Sequence, residues 1–236
     1  MNGFRISKLS GGDSKTVAAV ARTLCRAFSD DPLVRWLRPG ATPWGALNPR
    51  SMSWQQRRVE RVLKQEEVYV AVDLEPEGDE QTKSKAGFPA VGFLHPLNQS
   101  WWRRFAALLL RLRLAVLDYL RPAEDDDGGS MKRVEMMMAN HLGSKTIVQN
   151  IAGKPAWYIE VVAVDPSYQR RRLGSQMVEH LVSLCPKGHP VYLECTDSKN
   201  VGFYEKHGFK VVTEVRLIDP LIESDQGVRL WLMAKL

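Results

Sequence analysis

The stretch 157-WYIEVVAVDPSYQRRRLGSQMVEHLV-182 decides how this chain is read. Residues 156–164 are almost wholly apolar, with Glu160 the exception, as expected of a strand covered on both faces. Pro166 ends the strand, and Met177, Leu181 and Leu184 already recur at helical spacing. Between strand and helix the chain must turn within Gln169–Gly174, and there it places three arginines in a row. A helix start leaves backbone N–H groups without partners, and its dipole favours negative charge. A turn that adds its own N–H groups makes a cradle for an anion. Gly174 lets backbone approach closely, and Arg170, Arg171 and Arg172 supply forked donors suited to phosphate. The bland alternative is an exposed turn that tolerates charge.

Downstream the pattern continues as strand 191–195, helix 198–207 and strands 209–217 and 228–235, after a helix predicted over 175–185. Upstream, residues 4–9 alternate as a strand, and 13–28 carry Val17, Val20, Ala21, Leu24 and Phe28 at helical spacing, with Asp13 or Ser14 as cap. A short helical turn after Pro32, a loop over 41–50 and a helix over 51–65 precede two strands, 67–74 and 89–94. These strands pair as a hairpin around the polar loop 75–87. Residues 99–120 read as an amphipathic helix, 122–130 as a solvated linker, and 131–143 as a helix that stops near Gly143. No internal repeat is visible. The expectation is one domain over 1–236, with a helical region inserted at about 96–150.

The 236 residues are 44% hydrophobic and 25% charged, and the net charge is +6, so a substantial core forms without staples and phosphorylated small molecules suit the surface. Three cysteines in no C-x-x-C spacing exclude a disulfide framework or zinc site as the organising feature and fit a reducing, cytoplasmic setting. The N-terminus shows no apolar leader. The stretch 101-WWRRFAALLLRLRLAVLDYL-120 is interrupted by Arg103, Arg104, Arg111, Arg113 and Asp118 and is not read as a membrane span. Nucleic acid is not expected as a partner, because the basic residues are scattered.

The run Gln169-Arg170-Arg171-Arg172-Leu173-Gly174, set after a V-x-V-x-P strand, resembles the Q/R-x-x-G-x-G/A pyrophosphate loop of the GNAT acetyltransferase superfamily. Arg172 stands where that motif has its first glycine, so either the turn differs there or the position does not require a positive φ. A second block, 191-VYLECTDSKNVGFYEKHGFKVVTEV-215, is similar to the other signature of the superfamily: a strand ending near L-E, then N-x-x-x-Y-E-K-x-G-F. The phrases 156-AWYIEVVAVDPSYQ-169, 203-FYEKHGF-209 and 228-VRLWLMAK-235 resemble the puromycin N-acetyltransferase group. The likeness is good over about 155–236 and absent over about 95–150.

That resemblance implies an α/β (α+β) GNAT fold: a central, mostly antiparallel mixed sheet of about six to seven strands flanked by helices, with the helical insertion before the cofactor strand. It implies acetyl-CoA as co-substrate, no metal, and acetyl transfer to a primary amine by direct attack in a ternary complex. Backbone around Val162, Ala163 and Val164 would bond the pantetheine, one N–H there polarising the thioester carbonyl. Gln169, Arg170, Arg171, Arg172, Leu173, Gly174 and Ser175 would take the pyrophosphate. Tyr204 would protonate the leaving thiolate, or else pack in the core and bond a carbonyl. Asn200 would bond the cofactor or cap its helix. Glu160, its pKa raised by an apolar setting, or Glu194 would take the acceptor's proton; alternatively Glu160 pairs with an arginine such as Arg170, or solvent serves as base. The five histidines, without ligand spacing, read as surface or capping residues.

The acceptor expected is a small-molecule amine. Alternatives are a protein lysine or N-terminus, a GNAT-shaped protein that only binds acyl-CoA, or a binding module built on the Trp101-Trp102-Arg103-Arg104 cluster. Monomer and homodimer both stay open.

Overall fold

A computed structural model describes residues 3–9, 12–39, 49–65, 67–73, 87–95 and 129–236, together with positions 97 and 109. The predicted helix 99–120 and most of the loops 41–50, 75–87 and 122–130 lie outside the described residues.

Seven strands form one sheet among the described residues: β1 (Phe4–Lys8), β2 (Glu67–Asp73), β3 (Ala90–His95), β4 (Trp157–Val164), β5 (Val191–Cys195), β6 (Lys210–Leu217) and β7 (Val228–Lys235), in the order β1-β2-β3-β4-β5-β7-β6. Neighbours are antiparallel except β4 and β5, which run parallel. The parallel pair is short: Trp157 pairs with Val191 and Tyr158 with Tyr192, and no further rung is made. Beyond Tyr158 the two central strands separate.

Two layers of helix cover the sheet. On one face lies α5 (Leu173–Ser183), whose Leu173, Met177, Val178 and Leu181 pack on Leu94, Ile159, Val191 and Leu193. It sits tightly because β3 carries Gly92 beneath it: a Cβ there would stand 2.8 Å from Met177 Sδ and 2.9 Å from Leu181 Cδ1. The short α6 (Val201–Lys206) shares this face and gives its Phe203 and Tyr204 to the same core. On the other face, α1 (Ser14–Ala27) and α3 (Pro49–Gln65) bury Val17, Val20, Leu24, Val59 and Val62 against Val68, Val91, Phe93 and Val161. There too α2 (Pro32–Leu37) and α4 (Met131–Ala152) cover the β5-β7-β6 half.

The local signals act as their chemistry dictates. Asp13 caps α1 by accepting from Thr16 N at 2.7 Å, and Asp31 caps α2 by accepting from Val34 N at 2.9 Å. The helix expected to stop near Gly143 runs on to Ala152 and ends at Gly153, which adopts φ 66°. Gly143 lies on the open side with nothing within 4 Å of a hypothetical Cβ. Its penalty of about 1 kcal/mol relative to alanine is outweighed by the burial of the adjacent Ser144 and of Val148 just over a turn later. The predicted helix 198–207 is a 3-10 turn, Ser198–Asn200, followed by α6. No helix among the described residues is long and apolar enough to cross a membrane.

Candidate active site

The separation of β4 from β5 leaves one edge of β4, from Glu160 to Val164, without a strand partner on the β5 side among the described residues. Val162, Ala163 and Val164 therefore stand where unladdered backbone can bond an extended ligand, while β3 holds their other edge through Gly92, Val91 and Ala90.

β4 also carries a bulge. Phe93 pairs with Val161 but Leu94 pairs with Ile159, so Glu160 is the extra residue. The bulge resets the alternation. Trp157 and Ile159 pack with the α5 face, Val161 and Ala163 with the α1–α3 face, and Val162 and Val164 with the α5 face again. Glu160 and Val161 thus project to the same side, and Glu160 meets α3.

There Glu160 does not find Arg170. Arg58 Nε donates to its Oε1 at 3.0 Å, with Arg58 Nη2 on the same oxygen, and His95 Nε2 donates to Oε2 at 2.7 Å. Burial alone would raise its pKa, but the Arg58 charge and the His95 hydrogen bond outweigh it and hold the carboxyl well below the usual carboxylate range. The expected upward shift is therefore reversed. Among the described residues, Glu194 on β5 is gripped by four donors: Asn140 Nδ2 at 2.8 Å, Ser144 Oγ at 2.7 Å, His141 Nδ1 at 3.0 Å and Tyr158 OH at 3.1 Å. Three of these come from α4, so Glu194 ties α4 to the sheet beside the opening. Burial, first, and then the charge of Glu194 push the Tyr158 phenol well above its ordinary value.

At the far end of β4, Asp165 anchors the turn. It accepts from Ser167 N and, in an ion pair, from Arg26 of α1. The arginine turn then adopts a conformation that side chains rarely take: Arg170 and Arg172 both have φ 63°. The position of the missing motif glycine thus does require a positive φ, and arginine supplies it. Leu173 is buried, while Arg170, Arg171 and Arg172 are exposed. Arg171 lies over the Tyr168 ring at 5.2 Å. Beside this turn an open groove of about 850 Å³ is lined by Gly3, Phe4, Arg171, Arg172, Ser175, Gln176 and Glu179. Gln169 reaches back to Val164 O at 3.4 Å, and Gly174 packs in ordinary contact with Phe203 and Val164. Ser175 Oγ lies 3.2 Å from His207 Nε2.

Tyr204 sits on α6 on the same face as this turn. Its ring meets Phe203 edge-on at 5.0 Å and Phe209 at 6.1 Å, and its hydroxyl has no hydrogen-bond partner among the described residues. The bond to a carbonyl, the alternative to the acid role, is not made among the described residues. Burial, then Cys195 and Asp31, push its phenol above the ordinary value. Asn200 is exposed and makes no side-chain cap; Asp197 caps the preceding turn instead, accepting from Lys199 N at 3.0 Å.

Several site residues escape sequence reading. Arg58, His95, His141, Asn140 and Asp31 lie on segments with no motif. Arg58 is 102 residues from Glu160, and His95 is 65. Only the strand register, which sets His95 opposite Tyr158, carries a signal for any of them.

The site combines a β4–β5 opening, an unladdered β4 edge, a positive-φ arginine turn at a helix start and a phenol with no hydrogen-bond partner among the described residues. Residues 124–209 match the model of the acetyltransferase (GNAT) family. Residues 124–209 thus carry the likeness to the GNAT family. A stretch of 53 residues is 47% identical to the glucosamine 6-phosphate N-acetyltransferase of Schizosaccharomyces pombe; it covers 22% of this chain and 47% of that enzyme, so the chain spans about half the length of the relative it matches. The fold is similar to the histone acetyltransferase HPA2 and related acetyltransferase of Corynebacterium glutamicum, with TM-score 0.57 and 16% identity over 100% of this chain and 96% of that one. It is also similar to arylalkylamine N-acetyltransferase 2 of Aedes aegypti, with TM-score 0.57 and 13% identity over 100% and 99%. At those identities the likeness is one of GNAT fold.

Proposed function

We propose that this protein is a GNAT acetyltransferase that transfers an acetyl group from acetyl-CoA to the primary amine of a small molecule, by direct attack in a ternary complex. One observation carries the reading: the parallel pair β4–β5 stops at Tyr158 and opens toward the arginine turn. A pantetheine would lie along Val162–Val164. The pyrophosphate would meet the N–H groups of Arg170–Ser175, with Gln169 bracing the turn from behind. A β4 N–H facing the thioester oxygen would stabilise the developing oxyanion. Tyr204, its hydroxyl unpartnered among the described residues, would give its proton to the departing thiolate.

The small-amine reading is supported by the puromycin-type phrases of the C-terminal third and by the amines named in its relatives, glucosamine 6-phosphate and arylalkylamines. The whole of 1–236 would act as one domain with 96–150 inserted. Three free cysteines suit a reducing, cytoplasmic setting.

The test is calorimetric titration with coenzyme A, followed by thiol release from acetyl-CoA in the presence of phenylethylamine, agmatine, spermidine, glucosamine 6-phosphate and a lysine peptide. Micromolar binding and turnover of a small amine are expected. Binding without turnover leaves an acyl-CoA sensor, turnover of the peptide alone a protein acetyltransferase, and no binding removes the reading.

A further inference from the structure

β6 is the outermost strand beyond β7, and its far edge has no strand partner among the described residues. An open row of N–H and C=O groups is a template for another strand, and charged side chains ordinarily keep such partners away. The exposed charges of β6 are of both signs: Lys210, Glu214 and Arg216. Val211 pairs with Met233 and Thr213 with Leu232, so Val212 is an extra residue that reverses the alternation. From Thr213 onward the pairing is regular. Thr213, Val215 and Leu217 stand opposite Leu232, Leu230 and Val228, which pack with the α2–α4 layer. Glu214 and Arg216 stand opposite Trp231 and Arg229, on the α5 side of the sheet.

Within one chain Arg216 lacks an opposite charge. It faces Arg229 directly across the ladder, and like charges so placed destabilise a sheet. Arg229 is offset by Glu214 at 3.4 Å. Arg216 instead turns to the Gln226 carbonyl, with Nε at 2.9 Å and Nη2 at 2.6 Å, and meets no carboxylate among the described residues.

Two copies related by an axis normal to the sheet set one residue opposite itself. Centring on Glu214 or Arg216 brings like charges together. Centring on Thr213 draws the bulge into the middle of the new ladder, and centring on Leu217 leaves half of it beyond the strand. Val215 as the centre has none of these faults. Glu214 then meets Arg216 of the second copy and Arg216 meets its Glu214, on the face where both are exposed. Val215 meets Val215, and Thr213 meets Leu217, on the face of the helical layer. The bulge falls at the rim, where Val212 comes opposite the exposed Ile218 of the second copy. The connection that carries Ile218 is held firmly: Asp219 and Asp225 meet Arg133 of α4 at 3.3 and 3.2 Å, and Trp36 Nε1 of α2 donates to Asp225 at 3.0 Å.

We propose that this edge is a homodimer interface, in which β6 pairs antiparallel with β6 of a second copy, centred on Val215, and joins two seven-stranded sheets into one.

The test is sedimentation equilibrium of the full chain, with the parent expected at twice the mass of one chain. Glu214→Arg sets arginine against arginine at both ends of the centre, and the dimer Kd should rise about tenfold or more. Glu214→Arg combined with Arg216→Glu restores opposite charges at both places. Its Kd should return to within threefold of the parent, a rescue that a purely internal role for Glu214 would not allow. Register is read by oxidising Val215→Cys. Residues directly opposite in an antiparallel ladder lie about 4.5–5.5 Å apart between Cα atoms, within reach of a disulfide, so a covalent dimer absent from the parent is expected. Thr213→Cys, about 13 Å from its counterpart in this register, should not cross-link. A monomeric parent, a Kd moved less than threefold by Glu214→Arg, a double variant as weak as the single one, or no cross-link at 215 each overturns the interface. Should Glu214→Arg fail to fold, Val215→Cys decides alone. The measurement needs no coenzyme A, so its failure leaves the acetyltransferase reading where it stands.

Discussion

Tyr158 donates its hydroxyl to Glu194 at 3.1 Å, alongside the last rung on which β4 and β5 are still paired. The same ring stacks on Tyr192, its partner on that rung, at 4.8 Å, and meets His141 of α4 at 4.4 Å. The point where the sheet begins to open is therefore fastened from one side by aromatic stacking and from the other by a carboxylate shared with α4.

Removing that fastening is costly. Glu194→Ala leaves Asn140, His141, Ser144 and Tyr158 without an acceptor, and a loss of about 3 kcal/mol in unfolding free energy is expected in urea. Tyr158→Phe deletes a single bond from the cluster and should cost about 1 kcal/mol.

The arginine turn carries strain that glycine would relieve. Arg172→Gly should stabilise the fold by about 1 kcal/mol, raising Tm by about 2–4 °C. Arg172→Ala should give no such gain, because its Cβ meets the same clash at φ 63°. Thermal denaturation of the two variants checks this directly.

Glu160 sets a pH dependence whose sign follows from its lowered pKa. The unfolded chain takes up a proton near the ordinary glutamate value of about 4.3, while the folded chain resists until more acid conditions. Stability from the Arg58 and His95 contacts is therefore full above that value and is lost as pH falls below it. Glu160→Gln should lower stability at pH 7 and flatten its dependence on pH between about 4.3 and the acid end. Acid titration followed by circular dichroism reads both.

Tyr204→Phe separates chemistry from packing. The hydroxyl has no protein partner among the described residues, so Tm should move by less than about 1 °C. If the phenol serves as the acid, kcat should fall about 10²-fold or more while coenzyme A affinity holds. An unchanged kcat sinks that role.

The strand-turn-helix at 157–183 was legible because its signals are local: an apolar run, a proline stop and a helical period. The same holds for Asp13 as the α1 cap and for β7, whose predicted bounds of 228–235 agree with the structure. What stayed hidden depends on register. That Glu160 is the extra residue of a bulge follows from how β3 pairs with it, and periodicity within β4 carries no trace of that pairing. Its partners, Arg58 and His95, come from α3 and β3, and Asp31 reaches Thr196 across 165 residues. The left-handed backbone of Arg172 is hidden for another reason: arginine seldom adopts it, and only the surrounding turn enforces it.

The bulge also makes the carboxylate of β4 dispensable to the sheet. Because Ile159 and Val161 already face opposite ways and pair with successive positions of β3, a chain shortened by that one glutamate would keep every other side chain of the strand pointing where it does now. Chemistry at this spot can thus be gained or shed by a single codon, with the surrounding architecture left intact.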